Sequence, residues 1–394
     1  MKIALVCPAS LPATQFGGIL FLCVDIAKEL SNDGHDVTIF TTDLDFANNP
    51  KTFNKKLSRT EIIDKFKINR SHVWFSFGLF FVNPGMYFQM KNDKPDIIHS
   101  IGIRSFQSYI AALVSKKNNI PLVLSDQGGL TTHPALNKSN IIKRFFYKIQ
   151  SPMIHFIINQ ATKISVANEY EKKIFSNLCD DSKIVIIRNG VNLESLISQT
   201  ANFKEKYNII EPFFLFLGRF DRVKGIDVLL NALNFIRNKL EASNVKLIIM
   251  GVDFGFQSHM FKMINNLKLN DKVIVIKNPT RDDVIAAYKE SEFLVLPSRW
   301  ELSPLTPLEG FAFKKPVIST NVHGIPHTIK NNVHGLLVES ENFKELGLAI
   351  LEFLFNNKKR EEFGLAGYRL VQDECNSKIM AKNTLKIYQD VVNR

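Results

Sequence analysis

The sequence predicts an α/β protein made of two doubly wound halves in tandem, each a parallel sheet covered on both faces by helices. Short runs that are apolar throughout, such as Lys2–Cys7 and Pro212–Gly218, alternate with stretches of helical periodicity. The alternation halts and restarts after Arg188-Asn189-Gly190. The 394 residues suit two cores of about 150–200 residues each better than one.

In the first half, Lys2–Cys7 reads as a buried strand closed by Pro8, followed by a loop to Gly17-Gly18 and the helical run Ile19–Leu30. Gly34 ends that run, and Asp36–Thr42 reads as the second strand. Further strands are expected at Pro95–His99, Pro121–Ser125, Lys163–Ala167 and Lys183–Arg188. The segment from about 46 to 92 lacks a regular pattern.

In the second half, strands are expected at Pro212–Gly218, Val245–Gly251, Lys272–Lys277, Glu292–Pro297, Pro316–Thr320 and Gly335–Val338. The helix after the first carries Ile226, Leu229, Leu230, Leu233 and Ile236 on one face. Leu193–Tyr207 reads as the interdomain connection, and the chain from Asn342 onward is helical and charged. The expected division is a first domain at 1–190, a second at 191–372, and a terminal helix, 373–394, packing back on the first domain. Two such Rossmann-like halves would place a ligand cleft between them, beyond the carboxyl ends of the strands.

Composition narrows the class. With 45% hydrophobic and 22% charged residues the chain is globular rather than disordered. No apolar run approaches a membrane span, and Met1–Cys7 is too short for a signal sequence. Four scattered cysteines, Cys7, Cys23, Cys179 and Cys375, point to a reducing compartment and offer neither a disulfide framework nor a metal site. A cytoplasmic location is therefore expected.

The charge is +12 and uneven, net +8 over residues 1–190 and +4 over the remainder. No acidic residue falls between Asp126 and Glu169, whereas Lys138, Lys143, Arg144, Lys148 and Lys163 do, interleaved with Ile141, Phe145, Phe146 and Phe156. This stretch suits an anionic membrane surface or a polyanionic acceptor, and the plainer reading is a surface helix whose apolar stripe faces its own core. Nucleic acid is not expected, since no recognition module accompanies the charge.

Two loops carry the chemistry. After Pro212–Gly218, Arg219 and Lys224 bracket a short turn before Gly225, where cations at a strand's carboxyl end would neutralise a diphosphate. After Glu292–Ser298, Glu301 and Glu309 stand eight positions apart on either side of a helix start, whose free N–H groups suit a phosphate. A competing explanation for Glu309 is structural: Thr306-Pro307-Leu308-Glu309 is a capping box with proline at the first helical position.

Together these residues resemble the retaining, nucleotide-sugar-dependent glycosyltransferases of family 4, with the GT-B fold. The resemblance runs through essentially the whole chain. Glu301 through Glu309 match the E-x7-E motif, and Gly218, Arg219, Lys224 and Gly225 match G-R-x(4)-K-G. Gly17-Gly18 match the amino-terminal glycine loop, and Asn189-Gly190-Val191-Asn192 match the hinge strand. Gly324-Ile325-Pro326 and Gly335-Leu336-Leu337-Val338 match the closing segment.

The resemblance implies transfer of a sugar, with a hexose expected, from a UDP- or GDP-sugar to a glycan or lipid-linked glycan, as in polysaccharide biosynthesis, without a metal cofactor. A lipid-linked acceptor would bring the enzyme to the inner face of the membrane as a peripheral protein. Arg219 and Lys224 would hold the diphosphate with backbone N–H groups near Leu305 and Thr306. Glu309 would bind the ribose, Glu301 would touch the transferred sugar, and Gly17 and Gly18 would let backbone approach the distal phosphate. His99 matches a family histidine at a strand end. Two positions depart from the pattern. Ser125-Asp126-Gln127-Gly128 has Gln127 where many relatives have histidine, leaving Asp126 as the candidate substitute base, and His327 stands where relatives have glutamate. The alternatives are a metal-dependent transferase built on Asp43-Leu44-Asp45, a sugar-nucleotide epimerase of the same fold, and a binding protein without transferase activity.

Overall fold

The structure, a computed structural model, describes residues 1–45, 52–127, 130, 149–197 and 202–393. The chain divides into two compact units, Met1–Gly190 with Ser377–Arg394, and Val191–Asn376.

The first unit is organised by β1 (Lys2–Val6), β2 (Asp36–Thr42), β3 (Thr60–Ile63) and β4 (Phe66–Ser71), then a separate hairpin of β5 (Phe75–Phe77) and β6 (Phe80–Val82). β7 (Ile97–Ile101), β8 (Leu122–Ser125), β9 (Lys163–Val166) and β10 (Ile184–Ile186) complete it. The sheet runs β10-β9-β8-β7-β1-β2-β4-β3, parallel except where β3 pairs antiparallel with β4. Central strands such as Ile3–Val6 and Ile97–Ile98 are fully buried, as a sheet covered on both faces demands. Among its described residues, the irregular 46–92 segment holds β3, β4, β5 and β6 and nearly all of the helix Gly85–Asp93. β3 is a mostly exposed edge strand, so it lacks the continuous apolar run that marks its neighbours.

The terminal helix Ser377–Val392 packs on the helix Gly18–Asn32. Ser377 Oγ donates to Glu29 Oε1 at 2.6 Å, and Tyr388 is fully buried edge-on to His99. Of the basic stretch, Lys138, Lys143, Arg144 and Lys148 lie outside the described residues, and Lys163 Nζ donates to Ser182 O at 2.6 Å. Among the described residues no helix is long and apolar enough to cross a membrane.

The second unit contains β11 (Phe213–Leu217), β12 (Lys246–Gly251), β13 (Val273–Lys277), β14 (Leu294–Leu296), β15 (Val317–Thr320) and β16 (Gly335–Val338). All are parallel, in the order β13-β12-β11-β14-β15-β16. Phe214 of β11 and Phe293 before β14 stack at 5.0 Å beneath helices Ile226–Phe235 and Phe343–Phe355. Each buried phenyl contributes about 1.5–3 kcal/mol relative to exposure. The strand order reverses between β11 and β14, the position at which ligands bind in open α/β sheets. Both chemistry-bearing loops leave those two strands.

Candidate active site

The loop after β11 forms a single 3-10 turn, Arg222–Lys224, begun by Asp221, whose side chain accepts the Val223 N–H at 2.9 Å. Gly225 ends the turn with φ +70°, and a Cβ there would lie 1.9 Å from the carbonyl oxygen of Pro297. Only glycine lets the two loops touch backbone to backbone across the strand-order reversal. Arg299 fastens the same junction. Its N–H donates to Val223 O at 2.7 Å, and its guanidinium grips Asp227 at 2.8 and 2.9 Å while pairing with Glu341.

On that scaffold Lys224 Nζ meets Glu301 Oε1 at 2.5 Å, and Ser298 Oγ donates to the same oxygen at 2.9 Å. Both charged side chains are roughly a fifth exposed, so the pair is largely shielded from solvent where the two loops meet. Arg219 lies over the Phe254 ring, 4.8 Å from its centroid, in a loop that pairs with the one after β12. The stacking restrains the guanidinium without consuming its N–H donors.

The capping-box explanation of Glu309 fails. The helix spans Leu305–Ala312 with Pro304 at its cap, so Thr306 and Pro307 already lie inside it, and no side chain caps its first turn. Glu309 is instead held by two residues of the next helix over, Arg281–Glu290. Arg281 donates to Oε1 at 2.6 Å and Tyr288 Oη to Oε2 at 2.7 Å. Burial, then the Glu309 charge, push the Tyr288 phenol well above its ordinary pKa, so it stays a donor. Each carboxylate oxygen keeps a further acceptor position. Arg281 was not foreseen from the sequence. The signal was its place at the first turn after Thr280, which with Asp283 makes a capping box at the carboxyl end of β13.

The first-unit candidates are placed differently. Gly17 has φ +102° and precedes the helix starting at Gly18, with open space where its Cβ would be. His99 sits in mid-strand, 2% exposed, with Nδ1 2.6 Å from Tyr388 Oη and Nε2 2.8 Å from Ser125 Oγ. Burial holds it neutral, with its pKa down at about 3. Both ring nitrogens are engaged inside the core. Asp126 is also buried, its Oδ2 accepting the Leu130 N–H at 2.7 Å. Gln127, at φ +52°, exchanges amide hydrogen bonds of 2.9 and 3.0 Å with Asn189. Asp43 is engaged by His72 and by the Val73 N–H, and Asp45 by Asn54. Among the described residues no three His, Cys, Asp or Glu side chains gather as a metal site.

Glu171, buried beside Asp126, has its pKa pushed up to about 8 by burial first and the Asp126 charge second, against the N–H groups of Ala167 and Gln127. The folded protein thus holds a proton that the unfolded chain releases in the ordinary carboxylate range. Its stabilising contribution is complete below that range and is lost as pH rises towards 8. Glu171→Gln should flatten the fall in melting temperature between about pH 5 and 8, where the wild type declines. Parallel melting curves for the two proteins would contradict a buried, proton-holding Glu171.

Comparison with known proteins agrees with the geometry. The family model described as Glycosyl transferases group 1 matches residues 199–370, and Glycosyltransferase Family 4 matches residues 16–195. An uncharacterized glycosyltransferase of Methanocaldococcus jannaschii is 31% identical over 71% of this chain and 71% of its own length. The capsular polysaccharide biosynthesis glycosyltransferase CapM of Staphylococcus aureus is 28% identical over 63% of this chain and 66% of its own. The structure of Anabaena HepE in complex with UDP-glucose superposes with a TM-score of 0.76 at 15% identity, covering 99% of this chain and 100% of that one. Two parallel sheets, cations and carboxylates at the reversal of the second, and these matches lead to one assignment: the chain belongs to the family 4 glycosyltransferases, with the GT-B fold.

Proposed function

We propose that the protein transfers a hexose, with retention of configuration, from a nucleoside diphosphate sugar to a glycan or lipid-linked glycan. The observation that carries this reading is the Lys224–Glu301 pair flanked by Arg219 at the strand-order reversal of the second unit. The ammonium has three donors, so Lys224 can keep Glu301 and still meet a phosphate oxygen. Arg219 adds a second cation, and the uncapped first turn at Leu305 and Thr306 offers N–H groups to the same diphosphate. Glu309, fixed by Arg281 and Tyr288, would accept from the ribose hydroxyls, and Glu301 from the transferred sugar.

HepE was solved with UDP-glucose, which makes a UDP-sugar the first donor to try and a GDP-sugar the second. The kinship with CapM favours a polysaccharide-type acceptor. A cytoplasmic protein working at an anionic membrane surface fits that reading. The test is incubation with UDP-glucose, UDP-galactose and GDP-mannose, with and without lipid-linked acceptors, following the anomeric product by NMR. Release of nucleotide with an α-linked product supports the proposal. Absence of both hydrolysis and transfer with every donor opposes it.

Charge at this site comes from Arg219 and Lys224, so turnover should be unchanged by EDTA, within about twofold. A requirement for Mn²⁺ or Mg²⁺ would overturn that part of the proposal.

A further inference from the structure

The hairpin of β5 and β6 presents large apolar side chains to solvent. Trp74, Phe75, Phe77 and Leu79 are 71%, 64%, 48% and 44% exposed, and Phe88 on the following helix, Gly85–Asp93, is 65% exposed. The root of the hairpin is firmly built. Phe77 pairs with Phe80 and Phe75 with Val82, and the Trp74 N–H donates to Val82 O at 2.8 Å. Fully buried Phe81 packs edge-on against Phe53 at 5.3 Å, and its carbonyl accepts from Gln107 at 2.8 Å. Gly78, at φ +61°, turns the tip. An ordered root that holds Trp74 and Phe75 largely in water leaves apolar surface that burial would stabilise. Such a patch marks a surface that something else covers.

Charge around the patch selects the occupant. No Asp or Glu occurs between Asp64 and Asp93, nor between Asp96 and Asp126. Lys91 is exposed one turn beyond Phe88, and Lys117 and Lys116 stand 5.5 Å from the Tyr87 and Phe156 ring centroids. Of the carboxylates near it, Asp93 is paired with Lys2 at 3.1 Å, and Asp43, at the hairpin root, is engaged by His72 and the Val73 N–H. Exposed aromatic side chains with lysines beside Tyr87 and Phe88 match the boundary between acyl chains and anionic headgroups, where rings enter and ammonium groups meet phosphates. We propose that this hairpin and the following helix dock the protein on an anionic lipid bilayer, with Trp74, Phe75, Phe77 and Phe88 entering the interface. The proposal deepens the membrane-surface part of the functional reading, and its test involves no sugar transfer, so the two can fail separately.

Trp74 supplies the probe. Of the two tryptophans the other, Trp300, is only 8% exposed. Full-length protein is mixed with phosphatidylcholine vesicles, or with vesicles also containing phosphatidylglycerol, each with and without brominated acyl chains. The expected result is a blue shift and bromine quenching with the anionic vesicles, weakened by salt. In sedimentation, a Trp74→Ser/Phe75→Ser/Phe77→Ser variant should partition about tenfold or more weakly than wild type while melting at a similar temperature. Lys91→Glu/Lys116→Glu/Lys117→Glu should lose the preference for anionic lipid. Three outcomes would overturn the proposal: no emission change with either vesicle, vesicle binding that the aromatic variant retains, or a lipid-independent shift that grows with protein concentration and assigns the patch to a second copy of the chain.

Discussion

Lys224→Ala should lower turnover by about 30- to 1,000-fold, equivalent to roughly 2–4 kcal/mol of transition-state stabilisation, with little effect on folding. The ammonium lies in a loop at the carboxyl end of β11, about a fifth exposed, and pairs with Glu301. Removing it leaves that carboxylate with Ser298 and with water within reach, a small structural cost. The loss should therefore appear in turnover rather than in the melting temperature. Lys224→Arg should recover only part of the rate, because a planar guanidinium cannot reproduce a point charge bonded to both carboxylate and phosphate. Steady-state kinetics beside melting curves separate the two effects, and a Lys224→Ala enzyme within threefold of wild type would remove Lys224 from the donor site.

Gly225→Ala should act in the opposite way, through the fold. A methyl group there would meet the Pro297 carbonyl oxygen at 1.9 Å from a backbone already at φ +70°. The two loops that present Lys224 and Glu301 would have to separate, at an expected cost of about 2–4 kcal/mol and a melting temperature lower by about 5–15 °C. Gly255→Ala is the control in the same unit. Its φ is +98°, but nothing lies within 4 Å of the added methyl group, so it should suffer the backbone strain alone. Equal destabilisation by the two substitutions would show that the contact between the loops does not hold the site together.

Both substitutions rest on features that differ in how plainly the sequence displays them. Strands apolar throughout, such as Phe213–Leu217 and Ile97–Ile98, announce a sheet buried on both faces, and the restart after Gly190 announces a second one. The order of residues around Gly218, Lys224, Glu301 and Glu309 carries the family resemblance, since several motifs recur together in one order. The edge pair β3–β4 and the exposed hairpin stayed illegible, since neither buries a continuous apolar run. Side-chain pairing was illegible for another reason. Lys224 and Glu301 are 77 positions apart, and His99 and Tyr388 are 289 apart, so only the folded chain shows that one pair joins two loops and the other fills a core. The local capping pattern at Thr306–Glu309 misled because Pro304 starts the helix earlier and tertiary partners, Arg281 and Tyr288, claim the glutamate.

Calorimetric titration of the protein with UDP, UDP-glucose, GDP and GDP-mannose, in wild type and in Lys224→Ala, tests the donor site most directly. The expected result is saturable one-to-one binding of one nucleoside diphosphate series, accompanied by a higher melting temperature and weakened about tenfold or more by the substitution. Binding of no nucleoside diphosphate, or binding that Lys224→Ala leaves untouched, would contradict a donor site at the strand-order reversal of the second unit.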